Sequence, residues 1–258
     1  GQYNHTTKPQ FSVGEYWDNS SNTKIWILKT SVDKVPQSAA FDFPFRYTVR
    51  DAANSGDWSK LQNDGNVPLI SDNRFRQYAV TFVENHDTQK RSESEQLDPI
   101  KKDTLAANAY LLAMPGTPCV FYRHWLDHKQ AIKAMIEVRR AAGITNTSVS
   151  SVVAKAPKQY VVAVEGTKGK LLCVLGDEAD SYAPDANEFM KVLSGNHFNY
   201  FLSRKADALL LDKPSGEYDA AFAVKVTRVS EHAQTLVYTT DGAAPTAQSP
   251  RVPADGNI

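Results

Sequence analysis

Short apolar runs that end in polar residues alternate with helical segments over residues 11–144. This alternation constrains the fold most, because strands separated by helices pair in parallel and need crossover connections. The runs and the residues that follow them are 11–14 before Glu15, 40–41 before Asp42, 78–83 before 84–87, and 119–122 before Arg123. We therefore predict an α/β fold whose parallel strands end in polar side chains.

Two helices are predicted between and after the later strands. Asp103 can cap a helix that ends at Pro115-Gly116. Apolar residues then recur at helical spacing around Ile132 and Met135, and Gly143 supplies the C-terminal stop. This spacing predicts a helix that packs on the outside of the sheet.

The pattern changes after residue 145. Residues 159–164 and 171–175 form β-rich runs separated by glycine-containing turns, which predicts a small antiparallel β-domain. Beyond residue 207, residues 221–226 and 235–240 are predicted as strands before an Asp241-Gly242 turn. The predicted domains are therefore 1–144, 145–206 and 207–258.

Charge and cysteine content exclude several classes of function. Lys plus Arg and Asp plus Glu number 29 each, so no net charge draws the chain to nucleic acid or an anionic membrane. No apolar run approaches the roughly 18 residues of a membrane span. Cys119 and Cys173 form no C-x-x-C pair, which argues against a zinc or redox motif and leaves a disulfide or two buried thiols open. Neutral partners are favoured.

The polar residues that follow the predicted strands are the candidate catalytic groups. Taken alone, a carboxylate at a strand end such as Glu15 is more often a loop cap or an ion-pair partner than a catalytic acid. Residues 84–87 are more informative, because four polar side chains after a buried strand are costly unless they are paired or used. Carboxylates at the C-terminal ends of parallel strands can converge on one cleft, as glycosyl transfer requires of an acid and a stabilising carboxylate.

Four segments in the correct order resemble the α-amylase family, glycoside hydrolase family 13. Gly-Glu-Tyr-Trp-Asp at residues 14–18 resembles the general-acid motif after barrel strand five, and Phe-Val-Glu-Asn-His-Asp-Thr at 82–88 resembles the strand-seven motif. Residues 41–43 and 115–122 resemble the strand-six and strand-eight segments. The resemblance implies the C-terminal half of a TIM (β/α)8 barrel, then a small antiparallel β-sandwich domain and a partial β-sandwich segment.

The resemblance also implies roles for individual residues in a retaining hydrolase of α-1,4-glucans such as starch, glycogen and maltooligosaccharides. Glu15 would be the general acid, and Asp87 would stabilise the oxocarbenium-like transition state. His86 and Asn85 would bind the substrate. Trp17 and Tyr16 are candidates for stacking on sugar rings, although aromatic residues beside a strand more often belong to the core.

Two motifs of the family are absent from the sequence. The strand-four motif, with its Arg and the nucleophilic Asp, has no match, and neither has the strand-three Asn-His pair. Residues 1–10 resemble the segment just before strand five. Because the chain starts without Met or a signal peptide and stops directly after a turn-rich stretch, both ends are expected to be cut from a longer protein. The resemblance implies that the isolated chain is inactive, that the full-length protein is monomeric, and that its calcium ligands lie outside this chain.

Residues 238–246 match the pattern Tyr-Thr-x-Asp-Gly-x-x-Pro-Thr. This pattern resembles a signature of chitobiase-like C-terminal modules, and a generic hairpin is the alternative. Such modules imply a secreted or periplasmic protein. Two other functions stay open: a relative that transfers glycosyl groups, and a noncatalytic glucan-binding protein on a degenerate amylase scaffold.

Overall fold

The computed structural model describes residues 10–62, 65–213, 215–232 and 235–258. The segment at residues 1–9 that was matched to the region before strand five lies outside them. Four strands form a parallel sheet in the order β1-β2-β3-β4. Their bounds are β1 Val13–Gly14, β2 Ala39–Phe41, β3 Ala79–Thr81 and β4 Thr117–Pro118. The prediction of an α/β fold with a parallel sheet is confirmed.

Among the described residues, four α-helices accompany this sheet: α1 Ser20–Lys29, α2 Phe43–Ser55, α3 Thr104–Ala113 and α4 Tyr122–Ala142. Helix α2 begins where β2 ends, because the Asp42 side chain accepts from the Phe45 amide at 3.1 Å. It ends at Gly56, whose φ of 69° suits glycine. Helix α4 breaks at His128 and ends at Gly143 as predicted. Short 3-10 turns lie at Trp58–Leu61, Leu69–Ser71, Arg76–Tyr78, Ala179–Ser181 and Arg204–Ala206.

The fourth parallel strand lies earlier than the apolar run predicted. Residues 119–122 were expected to be the strand, but Thr117 and Pro118 pair with Val80 and Thr81, and Tyr122 already begins α4. Only one further hydrogen bond, from the Cys119 amide to the Thr81 carbonyl at 2.7 Å, extends this pairing. His124 therefore lies in a helix and is buried.

Five strands form an antiparallel sheet in the order β5-β6-β7-β9-β8. Their bounds are β5 Val149–Lys155, β6 Tyr160–Glu165, β7 Lys170–Leu175, β8 Phe189–Gly195 and β9 Phe198–Ser203. This confirms the antiparallel β-region after residue 145. One apolar core spans both sheets, since Tyr110 of α3 packs against Tyr160, and the Tyr200 hydroxyl donates to the Ala109 carbonyl.

The last segment contains one two-stranded antiparallel sheet among its described residues, formed by β10 Ala208–Leu211 and β11 Val226–Val229. Of the predicted strand at 221–226, only Val226 lies in an observed strand, as the first residue of β11. The described part of 235–240 is not a strand, since its pairing is a single bridge between Val237 and Arg251. Gly242 turns the chain with a φ of 80°.

Both cysteines are free thiols in the described structure. Cys173 is buried in β7, and burial raises the pKa of its thiol well above the ordinary value. Cys119 is exposed, contrary to the prediction of two buried thiols. No helix within the described ranges is long and apolar enough to cross a bilayer.

Candidate active site

Glu15 follows β1 at the C-terminal edge of the parallel sheet and is exposed. A glycine precedes it for a steric reason: a Cβ on Gly14 would lie 2.1 Å from the Trp26 ring of α1. The same Trp26 ring stacks on Tyr16, with the ring centroids 5.8 Å apart. Tyr16 is half-buried by this contact, whereas the carboxylate of Glu15 is left accessible.

Trp17 forms an exposed aromatic surface at the same edge. Its indole ring stacks on Phe43 with centroids 4.5 Å apart and an interplanar angle of 17°. Its Nε1 donates to the Tyr47 hydroxyl at 2.6 Å. Phe43 in turn contacts the edge of Phe82 at 5.1 Å, so these rings connect the ends of β1, β2 and β3. Trp17 remains 48% exposed, which leaves one face free for a ligand.

Asn85, His86 and Asp87 lie together on a tight turn after β3. The Asn85 side-chain oxygen accepts from the Asp87 amide at 3.0 Å, and the Thr88 hydroxyl accepts from the Asn85 amide at 3.0 Å. These local bonds form the kind of turn in which Asn replaces a backbone acceptor. The turn leaves the His86 imidazole largely exposed and the Asp87 carboxylate partly exposed.

Two basic side chains lie beside the Asp87 carboxylate. His86 Nε2 is 3.4 Å from one oxygen, and an Arg91 guanidinium nitrogen is 3.6 Å from the other. Arg91 also donates to the His86 carbonyl at 3.1 Å. No sequence pattern distinguishes Arg91, because it is a single charge four residues further along a loop. Both contacts are solvent-exposed and therefore weak.

Glu84, which precedes this turn, is buried and paired. Its Oε1 accepts from the Ile100 amide at 2.7 Å, and its Oε2 lies 3.0 Å from His124 Nε2. His124 Nδ1 contacts the Asn108 amide nitrogen at 3.1 Å. The sequence pattern predicted that residues 84–87 are paired or used, but it did not predict the partners His124 and Asn108. The available signal was a carboxylate directly after a buried strand, where burial demands a partner.

Asp98 ties the far end of the loop at residues 85–99 to helix α2. Its carboxylate accepts from Arg46 at 2.6 Å and from Arg50. Arg46 is fully buried, and burial lowers the pKa of its guanidinium although Asp98 counteracts the effect. The guanidinium groups of Arg46 and Arg50 also lie about 5 Å from the Tyr47 ring. Helix α2 therefore contacts both the loop, through Arg46 and Arg50, and the Trp17 ring, through Phe43 and Tyr47.

The structure places the six predicted site residues at the C-terminal ends of two strands. Glu15, Tyr16 and Trp17 follow β1, and Asn85, His86 and Asp87 follow β3, with β2 between the two strands. Within the described residues, no cluster of three or more His, Cys, Asp or Glu side chains could hold a metal ion. The arrangement thus offers two carboxylates and one aromatic face, without a metal-binding set in the described part of the chain.

No protein-family model matches the chain. Among curated proteins it is 31% identical over 215 residues to a probable α-amylase 2 of Arabidopsis thaliana, covering 76% of this chain and 49% of that protein. It is 32% identical over 126 residues to the α-amylase type B isozyme of Hordeum vulgare, covering 48% of this chain and 78% of that protein. The chain thus spans about half the length of the Arabidopsis relative.

Solved structures show the same fold. The crystal structure of AmyP in complex with maltose matches with a TM-score of 0.53 at 15% identity, covering 81% of this chain and 56% of that chain. Identity this low supports the fold alone, whereas the barley isozyme is matched over most of its length at 32% identity. On this sequence relationship, the chain belongs to the α-amylase family of glycoside hydrolases.

Proposed function

We propose that this chain carries the general acid and the transition-state carboxylate of a retaining hydrolase that acts on α-1,4-glucans. The observation that carries the proposal is the placement of Glu15 and Asp87 after β1 and β3, at one edge of a parallel sheet. Active sites of parallel barrels lie at this edge. The four parallel strands would then be strands five to eight of a (β/α)8 barrel.

In this mechanism Glu15 donates its proton to the glycosidic oxygen as the bond to the leaving sugar breaks. Its exposure gives a glucan direct access to the carboxyl group. Asp87 stabilises the positive charge that develops on the sugar ring, and the exposed His86 imidazole donates to a sugar hydroxyl. In a retaining enzyme a second carboxylate attacks the anomeric carbon, and water later releases the glycosyl group.

Trp17 is proposed as the surface on which a glucose ring stacks. Trp17 lies two positions after Glu15 in the chain. Phe43 and Tyr47 hold its ring in one orientation. Holding the ring in advance reduces the entropy lost on binding. Tyr16 is the weaker of the two predicted stacking residues, because Trp26 already covers it.

The chain has no match to the strand-four motif that supplies the family's nucleophile. We therefore propose that the 258-residue chain binds α-glucans but does not hydrolyse them. A direct test combines calorimetry with maltoheptaose and a reducing-sugar assay on soluble starch. Binding without hydrolysis is expected. Hydrolysis that the Glu15→Gln variant abolishes would overturn the proposed inactivity, and absence of binding would overturn the glucan ligand.

Two variants test whether Trp17 stacks on the bound glucan. Trp17→Ala is expected to weaken maltoheptaose binding about fivefold, because a stacked aromatic face contributes on the order of 1 kcal/mol. Tyr182→Phe is the control, because Tyr182 packs against Phe201 of the antiparallel sheet, and it should leave affinity unchanged. If Trp17→Ala binds as tightly as the unmodified chain, the stacking role is wrong.

The coding sequence upstream of residue 1 provides an independent test. An Arg-x-Asp motif there would supply the nucleophile, and its absence would favour a noncatalytic glucan-binding protein. The match of residues 238–246 to the chitobiase-like signature supports a secreted or periplasmic location, which fractionation of expressing cells would test. Recovery of the native protein only in the cytosolic fraction would contradict that location.

A further inference from the structure

The loop at residues 85–99 is closed at its base by a single buried side chain. Glu84 precedes the loop and Ile100 follows it, and the Glu84 carboxylate accepts from the Ile100 amide at 2.7 Å. The Asp98 amide also donates to the Thr88 carbonyl at 3.1 Å, which brings the two ends of the loop together. Glu84 therefore holds both ends of the loop that carries Asn85, His86 and Asp87. It precedes the loop in the chain, and its carboxylate binds the Ile100 amide that follows the loop.

The second carboxylate oxygen of Glu84 joins the loop to helix α4. It lies 3.0 Å from His124 Nε2, and the side chains of both residues are only 7% exposed. A carboxylate accepts hydrogen bonds, so the proton lies on His124 Nε2 and Nδ1 is an acceptor. Asn108 satisfies this pattern, because its amide nitrogen donates to His124 Nδ1 at 3.1 Å and to the Thr104 carbonyl at 2.8 Å.

The ion pairs within residues 87–95 are exposed. Arg91 reaches Asp87 and Glu95 through side chains that are 41–50% exposed, and Lys90 pairs with the exposed Glu93. Such pairs contribute at most about 1 kcal/mol. A buried hydrogen-bonded carboxylate is different, since removing one partner leaves a desolvated polar group at a cost of about 1–3 kcal/mol or more. The Glu84–His124 pair is thus a stronger anchor of this turn than these exposed ion pairs.

We propose that Glu84 and His124 are positioning residues that hold the Asn85, His86 and Asp87 turn in its ligand-binding geometry. This inference rests on the proposed function, in which Asp87 and His86 face the glucan. The pair acts through the backbone, because Glu84 is the residue directly before Asn85 and is itself buried. A glucan in contact with the turn would not touch either residue of the pair.

Amide hydrogen exchange of the 258-residue chain, measured by NMR, tests the positioning role without any ligand. The reporters are the loop amides that donate internal hydrogen bonds, at Asp87, Thr88, Gln89, Asp98 and Ile100. Glu84→Leu and His124→Leu are each expected to accelerate their exchange about tenfold or more, the factor for losing one buried hydrogen bond. The amides of helix α3 should keep their protection.

The Glu84→Gln variant distinguishes hydrogen bonding from simple filling of space. Gln and Leu have similar volume, but the Gln carbonyl can accept from Ile100, and its amide can donate to the other tautomer of His124. That tautomer places a donor against the Asn108 amide nitrogen, which also donates to Thr104, so the bond to Ile100 is the one that this variant fully keeps. We expect Glu84→Gln to keep part of the protection that Glu84→Leu loses.

His197→Leu is the matched control, since this histidine also pairs with a carboxylate but its partners are Asp103 and Asp177. It should leave exchange in residues 85–99 unchanged. Unchanged loop exchange in Glu84→Leu, or equal acceleration in Glu84→Leu and Glu84→Gln, would overturn the positioning role.

Calorimetry with maltoheptaose then links the loop to the ligand. Glu84→Leu should weaken binding about as much as Asp87→Ala, although Glu84 is buried. If the unmodified chain does not bind maltoheptaose, the proposed function fails while the exchange data still decide the role of the pair. If Glu84→Leu frees the loop but keeps full affinity, the link between turn geometry and binding is wrong.

Discussion

The guanidinium of Arg139 donates to the carbonyl oxygen of Met114 at 2.6 Å inside the core. The same side chain donates to the carbonyls of Leu112 and Gly116 at 2.8 Å and 3.1 Å. These carbonyls lie at the C-terminal end of α3 and in the turn to β4, where no helical partner remains for them. Burial lowers the pKa of Arg139 to about 10. One side chain of α4 thus stabilises the connection that leads into the last parallel strand.

Arg139→Met should therefore destabilise the protein by on the order of 3 kcal/mol, because three buried carbonyl groups lose their donor. Arg139→Lys should lose less, since the ammonium group still donates but lacks the planar fork of Arg. The measurement is urea denaturation followed by circular dichroism. Arg140→Ala is the control, since its exposed pair with Glu137 should contribute less than about 0.5 kcal/mol. Equal stability of Arg139→Met and Arg140→Ala would contradict the assigned role.

Asp42 gives a pH-dependent contribution to stability. Burial raises its pKa from 3.8 to about 6, although backbone hydrogen bonds from Phe45 and Ile70 oppose the rise. The folded state thus holds the proton more tightly than the unfolded state. Its contribution is fully present below about pH 4 and is lost as pH rises through about 6, a change on the order of 3 kcal/mol. The free-energy difference between the unmodified chain and Asp42→Asn should fall accordingly between pH 4 and 7.

Asp72 is a control for Asp42, because its pKa is shifted in the opposite direction. Burial acts to raise its pKa, but hydrogen bonds from Lys24 and Arg74 outweigh burial and hold the pKa below its ordinary range. Its contribution is present above the unfolded-state pKa and is lost as pH falls. Denaturation curves of Asp72→Asn from pH 2 to 7 should therefore show the opposite slope to Asp42→Asn. The same slope for both variants would refute the assignment for Asp42.

Tyr47→Phe should weaken maltoheptaose binding severalfold with little effect on unfolding. The substitution removes only the hydroxyl that accepts from Trp17 at 2.6 Å, so the indole loses its fixed orientation while Phe43 still supports the ring. Fluorescence of Trp17 during titration reports the change, with Trp17→Ala as the baseline. An affinity equal to that of the unmodified chain would show that the hydrogen bond has no part in binding.

Much of the sheet was predictable from local pattern. Apolar runs before Glu15, Asp42 and Glu84 correspond to β1, β2 and β3, because an inserted polar group ends the buried part of a strand. The strand at 117–118 was misplaced, since the apolar residues 119–122 suit a strand or the start of a helix equally well. Its position depends on pairing with Val80 and Thr81, which local pattern does not contain.

By itself, the sequence determined which residues follow the first three parallel strands and which motifs they carry, because strand ends and turns depend on residues close along the chain. Only the tertiary structure decided that Glu84 pairs with His124 and that Trp17 donates to Tyr47, pairs separated by 40 and 30 positions in the chain. Such contacts depend on how separate helices and strands pack, and burial then selects the partners that satisfy each polar group.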